Sequence, residues 1–301
     1  MKKIVFLAGL TLLMAASCSK ESFNEVTNNT PEVPDTDTLV PVHVHVNDFS
    51  QTQEDFPETR TTSTPNNYSG VKAMILAFYD GDTEVYKTIQ FKGGMEEGQT
   101  FGEFSLSLPK GSYTMVVLGY GHFEGDELTL TSPSQAAYTS DRPRETFSAT
   151  QSVNITTTEA VEVSATLSRI VSRLQIVSTD GRTDDAANIR ITFSAGGKAF
   201  NPSTGLATVN TGFNNTLGIS ANVGNTSNSA AYLFLNTDEQ TMNVTIETLD
   251  AQGNTLKSSV VNNVSFKRNR VTKLLGRLYT GGVSSSFRLA TDWLDDTVIN
   301  F

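Results

Sequence analysis

One cysteine, one tryptophan and three histidines are all that 301 residues hold of these types. With Cys18 alone, neither an internal disulfide nor a cysteine-rich metal site is available, so stability must come from packing. Three histidines leave little from which to build a catalytic triad, and no Gly-x-Ser-x-Gly elbow occurs. Basic residues are scarce as well, 22 Lys and Arg against 32 Asp and Glu, for a net charge of −10. An acidic surface repels phosphate backbones, which argues against nucleic acid as a partner. No long segment has a helical period either, although Thr131 to Ala137 and Asp184 to Asn188 could each hold a short helical turn. The composition points away from an enzyme, and no catalytic residue, metal or cofactor is assigned.

The apolar run from Ile4 to Met14 is about half the ~20 residues that a membrane-spanning helix needs. It follows Met1-Lys2-Lys3 and precedes Ala15-Ala16-Ser17, the layout of a secretory signal, here residues 1–17. Cys18, directly after those small residues, resembles the cysteine of a bacterial lipobox. There the thiol takes a diacylglycerol and the freed amine a further acyl chain such as palmitate. Several chains, at ~0.8 kcal/mol per buried methylene, anchor a protein to a membrane where one would not. Ser19-Lys20-Glu21-Ser22 resembles the short charged signals that send Bacteroidetes lipoproteins to the cell surface. Without Lys2 and Lys3 the mature chain has 20 basic residues against 32 acidic ones, a net charge near −12.

Residues 18–38 are rich in Ser, Thr, Asn, Pro and Glu and nearly devoid of large apolar groups, which makes them a flexible tether. From Leu39 the dominant period is two. Val40, Val42, Val44 and Val46 alternate with polar residues, and the rhythm returns at 104–108, 113–117, 161–167, 189–193 and 244–249. Each is a strand with one apolar face. Turn signals separate them: Asp80-Gly81, Pro109-Lys-Gly111, Asp180-Gly181, Gly196-Gly197, Pro202-Ser-Thr-Gly205 and Gln252-Gly-Asn254. Many short strands with frequent turns imply an all-β fold of sandwiches. Val161 to Val177 reads as a long strand broken at Ser168-Arg169 and Ser172-Arg173, and it is the best place to divide the chain into domains at 39–167 and 168–301.

These features, in order, resemble the fimbrillin superfamily, the subunits of the lipoprotein-derived pili of Bacteroidales. The resemblance runs through Cys18, Leu39 to Phe49, the arginine of Glu58-Thr-Arg60-Thr-Thr, and Val71-Lys-Ala-Met-Ile-Leu-Ala-Phe-Tyr79. It continues in Leu108-Pro-Lys-Gly-Ser-Tyr113, Leu167-Ser-Arg-Ile-Val-Ser-Arg-Leu-Gln-Ile176 and Arg268-Asn-Arg-Val-Thr-Lys-Leu-Leu-Gly276. It implies two transthyretin-like β-sandwich domains, secretion as a lipidated precursor, and assembly by strand exchange with other copies or related subunits. An arginine-specific protease would cut after Arg60 and remove the strand that carries Val40, Val42, Val44 and Val46 into the core. The donor strand would be the tail, with Phe287, Leu289, Trp293, Val298, Ile299 and Phe301. A plainer reading keeps Arg60 as a solvated loop residue and the tail as the last strand of its own sheet. The implied location is the outer membrane, by the lipid, and the cell surface or fimbrium. Alternatives are a pilus membrane anchor, which keeps its lipid and first strand, and a glycan-binding outer-membrane lipoprotein, which would need an aromatic platform.

Three further patterns resemble chemical sites in outline. His43 and His45 lie two apart on one strand face, as in some metal sites, but are better read as solvent-facing residues of an edge strand. Asp80-Gly-Asp-Thr-Glu84 is too short for a twelve-residue calcium loop and is better read as a charged hairpin turn. His122, among the glycines of Gly119 to Gly125, lacks the strand-to-helix context of a phosphate loop and is better read as a turn residue.

Overall fold

Alternating β-branched and polar residues form strands because branched side chains pack well on a pleated, half-buried surface. The computed structural model describes residues 39–52, 60–280 and 288–289, all within one compact unit, Thr36–Phe301. Its first strands are β1 (Val40–Thr52), β2 (Arg60–Ser63), β3 (Ala73–Asp80), β4 (Thr83–Phe91) and β5 (Glu103–Leu108). They are followed by β6 (Gly111–Tyr120), β7 (Leu128–Ser132), β8 (Gln135–Tyr138), β9 (Thr146–Ile155) and β10 (Val161–Arg169). Then come β11 (Ser172–Ser178), β12 (Asn188–Phe193), β13 (Ala199–Phe200), β14 (Phe213–Gly218) and β15 (Asn228–Leu233). The last are β16 (Glu239–Leu249), β17 (Thr255–Lys267), β18 (Val271–Gly276) and β19 (Arg288–Leu289). The protein is all-β, as the alternation predicts. Among the described residues the helical element is a single 3₁₀ turn at Lys92–Gly94.

The first sheet runs β2-β1-β10-β9-β6-β3-β4, with β5 joined to β1. β10 meets β9 only where Ser168 and Arg169 face Ser148 and Phe147. The sheet turns at that corner, and β5-β1-β10 comes to lie over β9-β6-β3. Val42, Val44, Leu76, Phe78, Met115 and Val153 fill the space between. The other face of β3 and β6 supplies Ala73, Ile75, Tyr79, Val116 and Leu118 to a second core. With a core on either side, Ala73 to Tyr79 are all buried, and the sequence there is an apolar run rather than an alternation.

The hairpin of β7 and β8 covers the second core, and β13, from far along the chain, pairs with β8. Phe200 stacks on Phe234 at 4.2 Å beneath it. The short helical turn expected at Thr131 to Ala137 is therefore a hairpin instead. Leu128, Leu130, Ala136 and Tyr138 point inward at alternate positions, and Pro133-Ser134 makes the bend between Ser132 and Gln135. At Asp184 to Asn188 a non-helical turn leads into β12.

Two four-stranded sheets, β15-β11-β18-β19 and β14-β12-β16-β17, enclose a third core that includes Leu174, Ile191, Phe193, Val244 and Phe266. Val161 to Val177 proves to be two strands, β10 and β11, in different sheets. Between them Ile170 and Val171 are buried in the second core. The Leu-Pro-x-Gly-x-Tyr pattern has a local cause: the Tyr113 hydroxyl donates to the Pro109 carbonyl at 2.9 Å and fixes the β5–β6 turn. Asp80-Gly81 is the β3–β4 turn, as expected, with Gly81 at φ +58°.

Candidate functional site

β1 is the strand on which the candidate site is built. Val40 to His45 pair antiparallel with β5, Val42 to Ser50 pair parallel with β10, and Phe49 to Thr52 also pair antiparallel with β2. The strand is hydrogen-bonded on both sides, so the reading of His43 and His45 as edge-strand residues is corrected. A strand at an edge would leave one row of N–H and C=O groups open, and β5 closes that row here. Both histidines are nonetheless on the outer face, half-buried.

Val40, Val42, Val44 and Val46 point into the core, as the sequence predicts, each at 3% exposure or less. A bulge between Val46 and Asp48 then adds a residue and shifts the alternation, so that Phe49 rather than Asp48 faces inward. Phe49 packs against Phe147 at 4.9 Å and Tyr68 at 5.7 Å between ring centroids. Gly119 forms the floor of this socket, where a Cβ would stand 2.9 Å from Phe49 Cε1. Burying each of these five side chains contributes about 1.5–3 kcal/mol, as an upper figure. Sequence reasoning missed Phe49 because bulges have no period; the signal was the Asn47-Asp48 break before an aromatic.

Behind the socket lies a polar brace. The Arg169 guanidinium pairs with Glu145 at 2.7 Å, donates to the Tyr68 hydroxyl and to Asn269 Oδ1 at 3.0 Å each, and lies over the Phe147 ring. Tyr68 in turn donates to Glu145 Oε1 at 2.6 Å. Burial, with the Glu145 carboxylate beside it, pushes the Tyr68 hydroxyl far above the ordinary phenol range, so it is a fixed donor.

On the outer face His45 bridges the two strands that flank β1. Its Nδ1 contacts Glu103 on β5, and its Nε2 contacts Glu162 on β10 at 2.8 Å. Two carboxylates on two ring nitrogens require the imidazolium. The hydrogen bonds to Glu162 and then Glu103 raise the His45 pKa above its ordinary 6.5. The nearest histidine on the same strand, His43, is bonded to Ser105 Oγ at 3.0 Å. A raised pKa means stabilisation that is complete below pH 6.5 and lost as pH climbs through the folded-state value. Because the cluster is solvent-screened, it is worth roughly 0.2–1 kcal/mol. The expected result is a melting temperature that falls from pH 6 to pH 8 more steeply in the wild type than in His45→Gln. Parallel pH profiles would show that the clasp contributes nothing.

Arg60 opens β2, where its backbone pairs with Thr52, and residues 53–59 connect it to β1. Leu289 lies in β19, which pairs with Leu274 and Leu275 of β18. Before that point, Asp180 accepts N–H groups from Leu278 at 2.8 Å, Tyr279 at 3.0 Å and Thr280 at 2.6 Å. Burial alone would raise the Asp180 carboxyl, but the donations from Thr280, Leu278 and Tyr279 outweigh it and hold the group below the ordinary carboxylate range. Residues 278–280, from which the tail departs, are thereby fixed. Cys18, Phe287, Trp293, Val298, Ile299 and Phe301 lie outside the described residues.

Elsewhere His122 sits in the connection after β6, its ring 4.9 Å from that of Phe91. Among the described residues no group of three or more His, Cys, Asp or Glu is placed to hold a metal ion.

Fold and site together define a β-sandwich protein whose first strand is clamped between its neighbours and joined by residues 53–59 to a strand that opens on Arg60. A family model described as a family of unknown function, DUF6562, matches residues 38–300, and the chain belongs to that family. No curated protein matches it. Among solved structures it is similar to the fimbrial anchor protein Mfa2 from Porphyromonas gingivalis, at 11% identity and a TM-score of 0.49, over 83% of this chain and 95% of that one. It is likewise similar to a candidate adhesin from Bacteroides ovatus, at 9% identity and a TM-score of 0.49, over 82% of this chain and 87% of that one.

Proposed function

We propose that this chain is a structural, non-enzymatic subunit of a cell-surface fimbria that supports adhesion. It is exported as a lipoprotein precursor, held at the outer membrane by lipid on Cys18, and assembled by strand exchange. An arginine-specific protease cuts after Arg60, β1 leaves with the lipid, and a strand from the tail of another subunit fills the vacated groove. The two sandwiches divide at 167/168, and the first is the acceptor.

The observation that carries this reading is the placement of β1. It is bonded by β10 on one side and by β5 and β2 on the other, and residues 53–59 are its covalent link to β2. A cut after Arg60 therefore leaves β1 held to the rest of the chain by non-covalent contacts alone. Its loss would open a row of backbone donors and acceptors on β10 beside an apolar trough, and a guest strand satisfies both.

Limited digestion of the folded precursor with an arginine-specific protease tests the reading. The expected product begins at Thr61 and forms oligomers, whereas resistance at Arg60, or a cut product that stays monomeric, counts against it. The burial of Val40, Val42, Val44, Val46 and Phe49 also fits a pilus anchor, in which β1 is never removed. In cells, a mature N-terminus at Thr61 identifies a stalk subunit, and a lipidated Cys18 identifies an anchor.

A further inference from the structure

Strand exchange, on which this inference rests, requires the entering strand to find a register. An alternating strand slipped by two residues keeps the same faces inward, so four valines in alternation do not define one. The Phe49 socket does. A strand slipped by two would leave it without its large apolar side chain, and Gly119, where a Cβ would stand 2.9 Å from Phe49 Cε1, allows a ring to approach the sheet there.

We propose that the socket of Tyr68, Gly119, Phe147 and Leu167 sets the register of the donor, and that Leu294 of a second copy fills it. With the β1 bulge preserved, Thr291 then takes the site of Val46, Leu289 that of Val44 and Phe287 that of Val42. No charge enters the core. Sliding the tail to put Phe301 in the socket and Val298 at Val46 reproduces the Val46-x-x-Phe49 spacing, but it buries Asp296 and Asp292 at the sites of Val44 and Val40. Two unpaired carboxylates in an apolar trough are disfavoured more heavily than a leucine where a phenylalanine was.

Charge complementarity favours the same register. When β1 leaves, Glu103 and Glu162 lose the His45 cation between them. In the proposed register Arg288 takes the place of His43, which stands opposite Glu162. Phe287 and Leu289 are larger than the valines they replace. In strand pairing β5 is joined only to β1 among the described residues, so a larger donor would be accommodated by a shift of β5, held then by its core side chains and the β5–β6 turn. In its own sheet the described part of the donor, Arg288 and Leu289, pairs with Leu275 and Leu274 of β18, a ladder that exchange must give up.

The test uses the full precursor cut after Arg60 and synthetic peptides offered in excess. Mass spectrometry follows displacement of the β1 fragment. A peptide of residues 39–52 is the control for an accessible groove, and a peptide of residues 285–301 is the proposed donor. In the donor, Leu294→Ala is expected to raise the half-displacing concentration at least about tenfold, and Leu294→Phe, which restores the ring, to lower it. Arg288→Glu should weaken displacement, and Phe301→Ala should leave it unchanged. If Phe301→Ala weakens displacement and Leu294→Ala does not, the register is wrong. Displacement by residues 39–52 but not by 285–301 removes the tail as donor. Displacement by neither overturns strand exchange itself, and the register with it.

Discussion

Replacing Phe49 by alanine is expected to lower the stability of the full chain by about 3–5 kcal/mol, measured by urea denaturation followed by circular dichroism. The ring is fully buried and lies between Phe147 and Tyr68, with the edge of Gly119 beneath it. Collapse around the vacated volume is restricted, because Tyr68 and Phe147 are themselves held by Arg169. Gly119→Ala approaches the same contact from the opposite side. Its new methyl group would meet Phe49 Cε1 at 2.9 Å and a Leu167 methyl at 3.3 Å, for a loss of about 1–3 kcal/mol. In the Phe49→Ala background most of that second loss should vanish, since the space then exists. Strict additivity of the two would mean that they do not share a socket.

The second large effect is expected at Arg169. Its side chain is 18% exposed and that of Glu145 15%, and the guanidinium also serves Tyr68 and Asn269. Truncation to alanine leaves Glu145 as a nearly buried carboxylate without its cation, a change that costs about 3–5 kcal/mol. Glu145→Gln in that background should recover part of the loss by removing the stranded charge. Lysine in place of Arg169 should rescue poorly, because one ammonium cannot reproduce a planar fork aimed at three partners. Calorimetric melting of the four proteins separates these outcomes. A loss below about 1 kcal/mol for Arg169→Ala would mean that water reaches Glu145 and that the brace is not structural.

Much of the first strand was legible in the sequence, because Val40, Val42, Val44 and Val46 sit at period two and nothing else explains four valines so spaced. Legible too were the Asp80-Gly81 turn and the break between β10 and β11, where polar pairs interrupt an apolar run. What could not be read depends on partners remote in the chain. That His45 lies between Glu103 and Glu162 follows from the register of β1 with β5 and β10, and no local pattern encodes it. That β1 is internal rather than an edge has the same cause. Phe49 was hidden by a bulge, and the β7–β8 hairpin by its brevity: four to five residues on each side of a two-residue bend offer too few repeats to separate period two from a helical turn. The brace could not be anticipated at all, since Tyr68, Glu145, Arg169 and Asn269 come from four separate stretches and are ordinary surface residue types.

The parallel pairing of β1 with β10 also bears on the order of events during synthesis. Val42 is made early, yet its partner Val161 is made only after β2 to β9 have followed. Contacts between residues so far apart form slowly, because a long loop must close before any of its partners are in place. The nascent chain therefore passes through a stage in which the valine-rich first strand is made but unpaired. Throughout this interval the open sheet can accept a strand from a neighbouring chain as well as its own, so closure within one molecule competes with exchange between molecules, and crowding tips the balance toward exchange.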